Sequence, residues 1–126
     1  MLYVSHSSGK GRGVFSNKKI QRETIIERCP VLELPPEQLE NIDQTELYNY
    51  YFSWGKEMKA GALALGLGSI YNHSYTPNAL YRLDMDDGVI EFLAIKNIPA
   101  NEEITINYNG SPMDQSPLWG KIDWQK

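Results

Sequence analysis

Turn-forming residues divide this chain into short extended segments, and that division limits what it can fold into. Strand-like runs alternate with turns rich in glycine, proline, asparagine and aspartate. The predicted strands are residues 2–5, 13–16, 24–27, 31–34, 50–53, 62–65, 78–84, 89–95 and 104–108, with Pro30 separating the third from the fourth. Only one segment, residues 37–48, shows the apolar periodicity of a helix. The sequence therefore predicts a mainly β fold with one small helix and long connections.

The strongest turn signal is the segment Asp86-Asp87-Gly88. It separates the predicted strands 78–84 and 89–95, and an Asp-Gly pair accepts the positive φ that a tight turn needs. These two strands are therefore predicted to form a β-hairpin.

Size and charge narrow the function. With 126 residues the chain is long enough for one domain with a real core but too short for two. Twelve basic against sixteen acidic residues give a net charge of -4. This balance disfavours direct nucleic-acid binding and suits attraction of a cationic peptide. We therefore expect a basic protein or peptide as the partner.

Cysteine content and hydropathy bear on the compartment. The single Cys29 cannot form an internal disulfide or a cysteine-based zinc cluster. No apolar run approaches the ~20 residues of a membrane span, and the first residues lack a signal-peptide pattern. The expectation is a soluble intracellular protein that does not attach to a membrane, cytoplasmic if the source is bacterial.

Residues 71–79, Tyr-Asn-His-Ser-Tyr-Thr-Pro-Asn-Ala, hold more hydrogen-bonding side chains and turn formers than a helix or strand could carry. A metal site at His73 is disfavoured because His6 is the only other histidine and no regularly spaced carboxylate accompanies it. A serine hydrolase is disfavoured because no nucleophile elbow is present. Two interpretations remain: a ligand site, or side chains that cap a short helical turn and tie loops together.

A second run, residues 102–108, reads Glu-Glu-Ile-Thr-Ile-Asn-Tyr and is predicted to be a strand ending on Tyr108. Adjacent strand residues point to opposite faces, so Glu102 and Glu103 should not form an acid–base couple. One is expected to be exposed and the other to hold a loop in place.

Several other aromatic residues could simply pack in the core, or could line a channel that holds an alkyl-ammonium group by apolar and cation–π contact. They are Tyr48, Tyr50, Tyr51, Phe52, Tyr71 and Tyr75.

Near the N-terminus, Gly11-Arg12-Gly13 is followed by Val14-Phe15. Glycines leave backbone amides unobstructed for a ligand, although a hairpin turn is the simpler explanation for so short a motif.

Taken in this order, the three motifs resemble a SET domain, the fold of protein-lysine methyltransferases that use S-adenosylmethionine. The resemblance covers about residues 3–110, and the chain is similar to the minimal stand-alone SET domains of viruses and bacteria. It implies a β-clip fold of several small sheets with one short helix and a threaded C-terminal segment. Residues 1–110 would form the SET domain, and residues 111–126 a tail docking on the cofactor and substrate site.

The resemblance also implies roles for individual residues. Tyr108 would be the catalytic tyrosine, with its hydroxyl beside the transferring methyl group. S-adenosylmethionine would be held by Arg12, Gly13, Tyr71, Asn72, His73 and Trp119, with the Asn72 side chain at its methionine moiety. The lysine side chain would contact Tyr50, Tyr75 and Ile106, and no metal is expected.

Three departures from the family pattern accompany the resemblance. Asn101 stands where a glycine commonly precedes the glutamate pair, and asparagine tolerates the left-handed conformation. Tyr75 stands where a cysteine is frequent, and no cysteine cluster follows Tyr108.

The alternatives to a lysine methyltransferase are a catalytically inactive SET-like module that binds peptide or nucleotide, and a β-clip assembly domain. A homodimer that completes the substrate groove is also conceivable.

Overall fold

The computed structural model describes residues 1–118. Within these residues there are nine strands, one α-helix and two 3₁₀ turns. The strands are β1 Leu2–Ser7, β2 Gly11–Ser16, β3 Ile25–Leu34, β4 Tyr51–Trp54, β5 Ala60–Ala64, β6 Asn72–His73, β7 Ala79–Asp84, β8 Val89–Ala94 and β9 Glu103–Ile106. The helix α1 is Pro36–Ile42, and the 3₁₀ turns are Glu46–Asn49 and Lys56–Met58. The prediction of a mainly β fold with one short helix is confirmed.

The strands form two sheets. One has the order β1-β2-β9-β6, and the other the order β4-β5-β3-β8-β7. In the first sheet β6 lies parallel to β9, with Asn72 opposite Thr105 and His73 opposite Ile106. This short parallel pairing brings together two of the three sequence motifs, which lie far apart along the chain.

The strand β3 corrects the prediction that Pro30 separates two strands. It runs unbroken through Pro30, pairing with β8 up to that residue and with β5 from Val31 onward. Proline cannot donate to a strand ladder, but at this change of partners its carbonyl still accepts from Leu65 N at 2.9 Å.

The helix is shorter than its apolar period predicted. It ends at Ile42, and a separate 3₁₀ turn covers Glu46–Asn49. The reason is Thr45, whose hydroxyl donates to the Ile42 carbonyl at 2.6 Å and accepts from Leu47 N at 3.2 Å. A threonine side chain that bonds the backbone in this way competes with helix continuation.

Two local predictions are confirmed. The strands β7 and β8 form an antiparallel hairpin, and Gly88 in its turn has φ +64°. Asn101 adopts φ +65°, the left-handed conformation expected where the family pattern has glycine. Its side-chain oxygen also accepts from the Tyr3 hydroxyl at 2.8 Å.

The core draws on both sheets. Val14 and Ile104 from the first sheet and Phe92 from the second are fully buried in one cluster. The Phe92 ring stacks on the buried Tyr71 ring, with centroids 4.4 Å apart. Tyr71 immediately precedes β6, so this stacking supports the segment that carries the Asn-His motif. Within residues 1–118, no helix is long and apolar enough to cross a bilayer.

Candidate active site

Tyr108 is tied to the Asn-His motif at both its backbone and its hydroxyl. Its N–H donates to His73 Nδ1 at 3.0 Å, and its hydroxyl donates to the Tyr71 carbonyl at 2.7 Å. Tyr108 lies beyond β9 rather than on it, because the Asn107 side chain accepts from Asn109 N at 2.9 Å and begins a turn. The turn aims the phenol at the start of β6.

Burial dominates the ionisation of Tyr108. Desolvation, with smaller contributions from Tyr50 and Glu103, raises the pKa of the Tyr108 phenol well above its usual range. Tyr108 therefore stays protonated near neutral pH, and its hydroxyl can serve as a hydrogen-bond donor.

Asn72 is completely buried and joins all three sequence motifs. Its amide nitrogen donates to the Arg12 carbonyl at 2.8 Å and to the Glu103 carboxylate at 2.7 Å. The same carboxylate accepts from the Ser7 hydroxyl at 2.6 Å. Glu102, in contrast, is exposed. As predicted, one of the two adjacent glutamates faces solvent while the other fixes neighbouring segments.

The amide oxygen of Asn72 is different from its nitrogen. It is buried, and no donor among residues 1–118 lies within hydrogen-bond distance of it. An unsatisfied buried acceptor costs free energy and calls for an explanation. A ligand group that donates a hydrogen bond at this point would supply one.

Tyr108 and Tyr71 also line a cavity of about 430 Å³. Aromatic side chains dominate its wall, and Arg82 is the only charged residue of the described chain that lines it. The aromatic lining residues are Tyr48, Tyr50, Tyr51, Phe52, Tyr71, Tyr81 and Tyr108. Such a wall suits a long apolar side chain with a cationic end.

Comparison with known proteins decides the family. Residues 11–109 match the SET domain family. A Schizosaccharomyces pombe protein named histone-lysine N-methyltransferase, H3 lysine-37 specific, is 38% identical over 107 residues, covering 85% of this chain and 72% of that protein. The chain belongs to the SET domain family.

Solved structures agree on the fold. The crystal structure of a candidate histone methyltransferase from Plasmodium falciparum is 32% identical, with a TM-score of 0.70 over 88% of this chain and 99% of that one. A humanized Chaetomium thermophilum Polycomb Repressive Complex 2 is similar with a TM-score of 0.71 at 19% identity, over 86% of this chain and 15% of that one. The second likeness concerns the fold alone.

Seven of the ten residues predicted from the SET resemblance fall into two groups. Tyr50, Tyr71 and Tyr108 line the cavity. Arg12, Gly13, Asn72 and His73 lie together around β2 and β6, away from its wall. The Tyr71 carbonyl accepts from Tyr108, while the Tyr71 hydroxyl donates to Glu27.

Two predicted substrate contacts lie elsewhere among the described residues. Ile106 is fully buried and faces the core rather than the cavity. Tyr75 is 37% exposed, its ring edge packs on His73 with centroids 4.4 Å apart, and its hydroxyl donates to the Ser116 carbonyl at 2.9 Å. Neither side chain is part of the cavity wall in the described chain.

Sequence reasoning missed Glu27. Its carboxylate accepts from the Tyr71 hydroxyl at 2.8 Å and from Leu67 N at 3.0 Å, so it fixes the loop that carries the Tyr71 carbonyl. Tyr108 bonds that same carbonyl. Burial and the nearby Glu27 carboxylate raise the pKa of the Tyr71 phenol far above its usual range. No local pattern marks Glu27, because it stands in an ordinary strand sequence.

The segment after β9 folds back over the site. The Ser116 carbonyl accepts from Asn109 Nδ2 at 2.8 Å as well as from Tyr75, and the Asp114 carbonyl accepts from Asn107 Nδ2 at 2.6 Å. Leu118 reaches the cavity wall. Trp119, predicted to contact the cofactor, lies outside the described residues.

A substitution at Gly13 would test how closely Glu103 and Asn72 pack against its backbone. A Cβ built there would lie 2.9 Å from the Glu103 carboxyl carbon and 3.0 Å from Asn72 Nδ2. The φ of Gly13 is not positive, so the cost of Gly13→Ala comes from crowding alone. We expect a loss of about 1–3 kcal/mol in unfolding free energy, measured by chemical denaturation. In a Glu103→Ala background the loss should shrink, and an equal loss in both backgrounds would contradict the crowding.

Proposed function

We propose that this protein transfers a methyl group from S-adenosylmethionine to the side-chain amine of a lysine in a basic protein. The observation that carries the proposal is the position of Tyr108. Tyr108 lines an aromatic cavity, its N–H donates to His73, and its hydroxyl donates to the Tyr71 carbonyl. The family membership and the methyltransferase name of the 38% identical relative support the same chemistry.

The site fits the cofactor on one structural observation. The buried oxygen of Asn72 has no donor among residues 1–118, and the α-ammonium of S-adenosylmethionine would provide one. Asn72, His73 and the Arg12–Gly13 backbone would hold the molecule. When bound, it supplies an electrophilic methyl group on a positively charged sulfonium.

The cavity would hold the lysine side chain. Its aromatic wall would contact the aliphatic stem of the lysine and attract the cationic end through the ring faces. Tyr50 would be one of these rings. The ammonium has an ordinary pKa of ~10.4. Cation–π attraction would help the charged lysine to enter, while desolvation and the positive charge of a bound sulfonium would favour loss of the proton that blocks nucleophilic attack.

Tyr108 and the Tyr71 carbonyl would orient the reacting amine. The Tyr108 hydroxyl donates to the Tyr71 carbonyl, and a phenol oxygen is chemically able to accept a hydrogen bond from an amine N–H as well. Alignment of this kind can supply ~7–11 kcal/mol of rate enhancement through effective molarity. Tyr108 need not act as a base, which agrees with its raised phenol pKa.

We also propose that residues 1–110 are the catalytic domain and that the following segment closes the site. The hydrogen bonds of Asp114 and Ser116 to the turn after β9 support this division, as does Leu118 on the cavity wall. Histone substrates are the first to examine, because the S. pombe relative is named for histone H3.

The decisive experiment is a transfer assay. The protein would be incubated with methyl-labelled cofactor and lysine-containing peptides from histones and other basic proteins, and the products mapped by mass spectrometry. Label on a lysine supports the proposal. Heat of cofactor binding without transfer would indicate an inactive binding module. Neither heat nor transfer would indicate an assembly domain, for which sedimentation would reveal any homodimer.

The ionisation of Tyr108 predicts the pH dependence. Its raised pKa places deprotonation above the usual phenol range, so the loss of its proton should not lower the rate from about pH 7 to about pH 10. Over this range the single-turnover rate should rise as the substrate amine loses its proton. Circular dichroism at each pH controls for unfolding, and a falling limb with intact structure would contradict the assignment.

A further inference from the structure

Glu103 occupies an unusual position for a carboxylate. It lies against the buried Asn72 amide in the space that the missing side chain of Gly13 leaves open. Ser7 and Asn72 donate to its two oxygens, and within residues 1–118 no salt bridge involves it. Burying a charge without an opposite charge costs free energy that hydrogen bonds offset only in part, so the position of Glu103 calls for an explanation.

The two partners of Asn72 determine which way its amide faces. The Arg12 carbonyl and the Glu103 carboxylate are both acceptors only, so the amide group that faces them must be the NH₂. The amide oxygen is consequently turned to the opposite side, where it is buried and meets no donor among residues 1–118. Without Glu103, only one of these two acceptors, the Arg12 carbonyl, would remain to hold the amide in this orientation, and the orientation would be less firmly fixed.

We propose that Glu103 is a positioning residue for cofactor binding, holding the Asn72 amide so that its oxygen is available to the α-ammonium of S-adenosylmethionine. This proposal rests on the proposed function. The neighbouring Glu102 is exposed, and no side-chain hydrogen bond of it to Asn72 is found within residues 1–118. Gly13 belongs to the same device, because any side chain there would displace the carboxylate.

The test compares two ligands by calorimetry. S-adenosylhomocysteine carries the α-ammonium, whereas 5′-methylthioadenosine keeps the nucleoside and lacks the amino-acid part. In Glu103→Met, which removes the acceptor at similar length, we expect affinity for S-adenosylhomocysteine to fall about 10-fold or more. Affinity for 5′-methylthioadenosine should change less than about threefold, because that ligand does not use the Asn72 oxygen.

Two matched variants separate positioning from other effects. Glu103→Gln keeps an acceptor for Asn72, since the Ser7 hydroxyl can rotate to accept from the new amide, and should bind both ligands within about threefold of the unmodified protein. Glu102→Met replaces the neighbouring exposed carboxylate and should leave both affinities unchanged. Thermal unfolding checks each variant, and Glu103→Leu serves as the second variant if Glu103→Met fails to fold.

The outcomes are distinct. Selective loss of S-adenosylhomocysteine affinity in Glu103→Met, restored in Glu103→Gln, supports the positioning role. An equal loss of affinity for both ligands would mean that Glu103 only stabilises the fold. Unchanged affinities would mean that the Asn72 amide keeps its orientation without Glu103. Either result overturns the proposal. If the unmodified protein bound neither ligand, the proposed function itself would fail.

Discussion

Replacing Tyr108 by Phe is expected to lower the rate of methyl transfer at least about 100-fold while leaving cofactor affinity within about threefold. The substitution removes the one hydroxyl that bonds the Tyr71 carbonyl at the cavity wall, and with it the acceptor proposed for the substrate amine. The Asn72 cluster that would hold the cofactor does not include this hydroxyl. Single-turnover rates and calorimetry with S-adenosylhomocysteine would measure the two effects separately.

Tyr3→Phe is the matched control. Its hydroxyl likewise donates a hydrogen bond, to the Asn101 side-chain oxygen at 2.8 Å, and neither residue lines the cavity within residues 1–118. Its loss should cost up to about 1 kcal/mol of stability and leave transfer unchanged. Undiminished turnover in Tyr108→Phe would remove Tyr108 from the mechanism, and a parallel loss in both variants would point to a general effect on folding.

Phe92→Ala is expected to lower the free energy of unfolding by about 3–5 kcal/mol, a large part of the stability of a small domain. The ring is fully buried and stacks on Tyr71 at 4.4 Å, so truncation would leave a void beneath the residue that carries the Tyr108 hydrogen bond. Chemical denaturation would measure the loss. We also expect weaker transfer below the melting temperature, because the Tyr71 carbonyl would lose part of its support.

Leu93→Ala, one residue further along β8, provides the comparison. Leu93 faces the opposite side of the strand and is only partly buried, so its truncation should cost about 1–2 kcal/mol. Transfer activity at low temperature should be unaffected. Similar losses of stability in the two variants would contradict the assignment of Phe92 to the centre of the core.

Where sequence and structure disagree, the cause is strand pairing or hydrogen bonding that residue patterns do not record. Pro30 looked like a strand break because proline lacks a donor, yet β3 continues because its two halves use different neighbours. The predicted helix stopped early because Thr45 bonds the backbone, an outcome that apolar periodicity does not register. Ile106 is fully buried in the core of the described chain, and its contact with the substrate stays a prediction.

Residue types at fixed spacings were enough to recognise the family and the order of its motifs, and the resemblance singles out Tyr108 and Asn72 as predicted site residues. Local backbone preferences were enough to predict the β7–β8 hairpin and the left-handed Asn101. Long-range packing, in contrast, places a carboxylate in the space at Gly13 and Glu27 beside the loop behind Tyr108. Hydrogen bonds between segments far apart in the chain leave no periodicity or spacing to read, so only the folded arrangement reveals them.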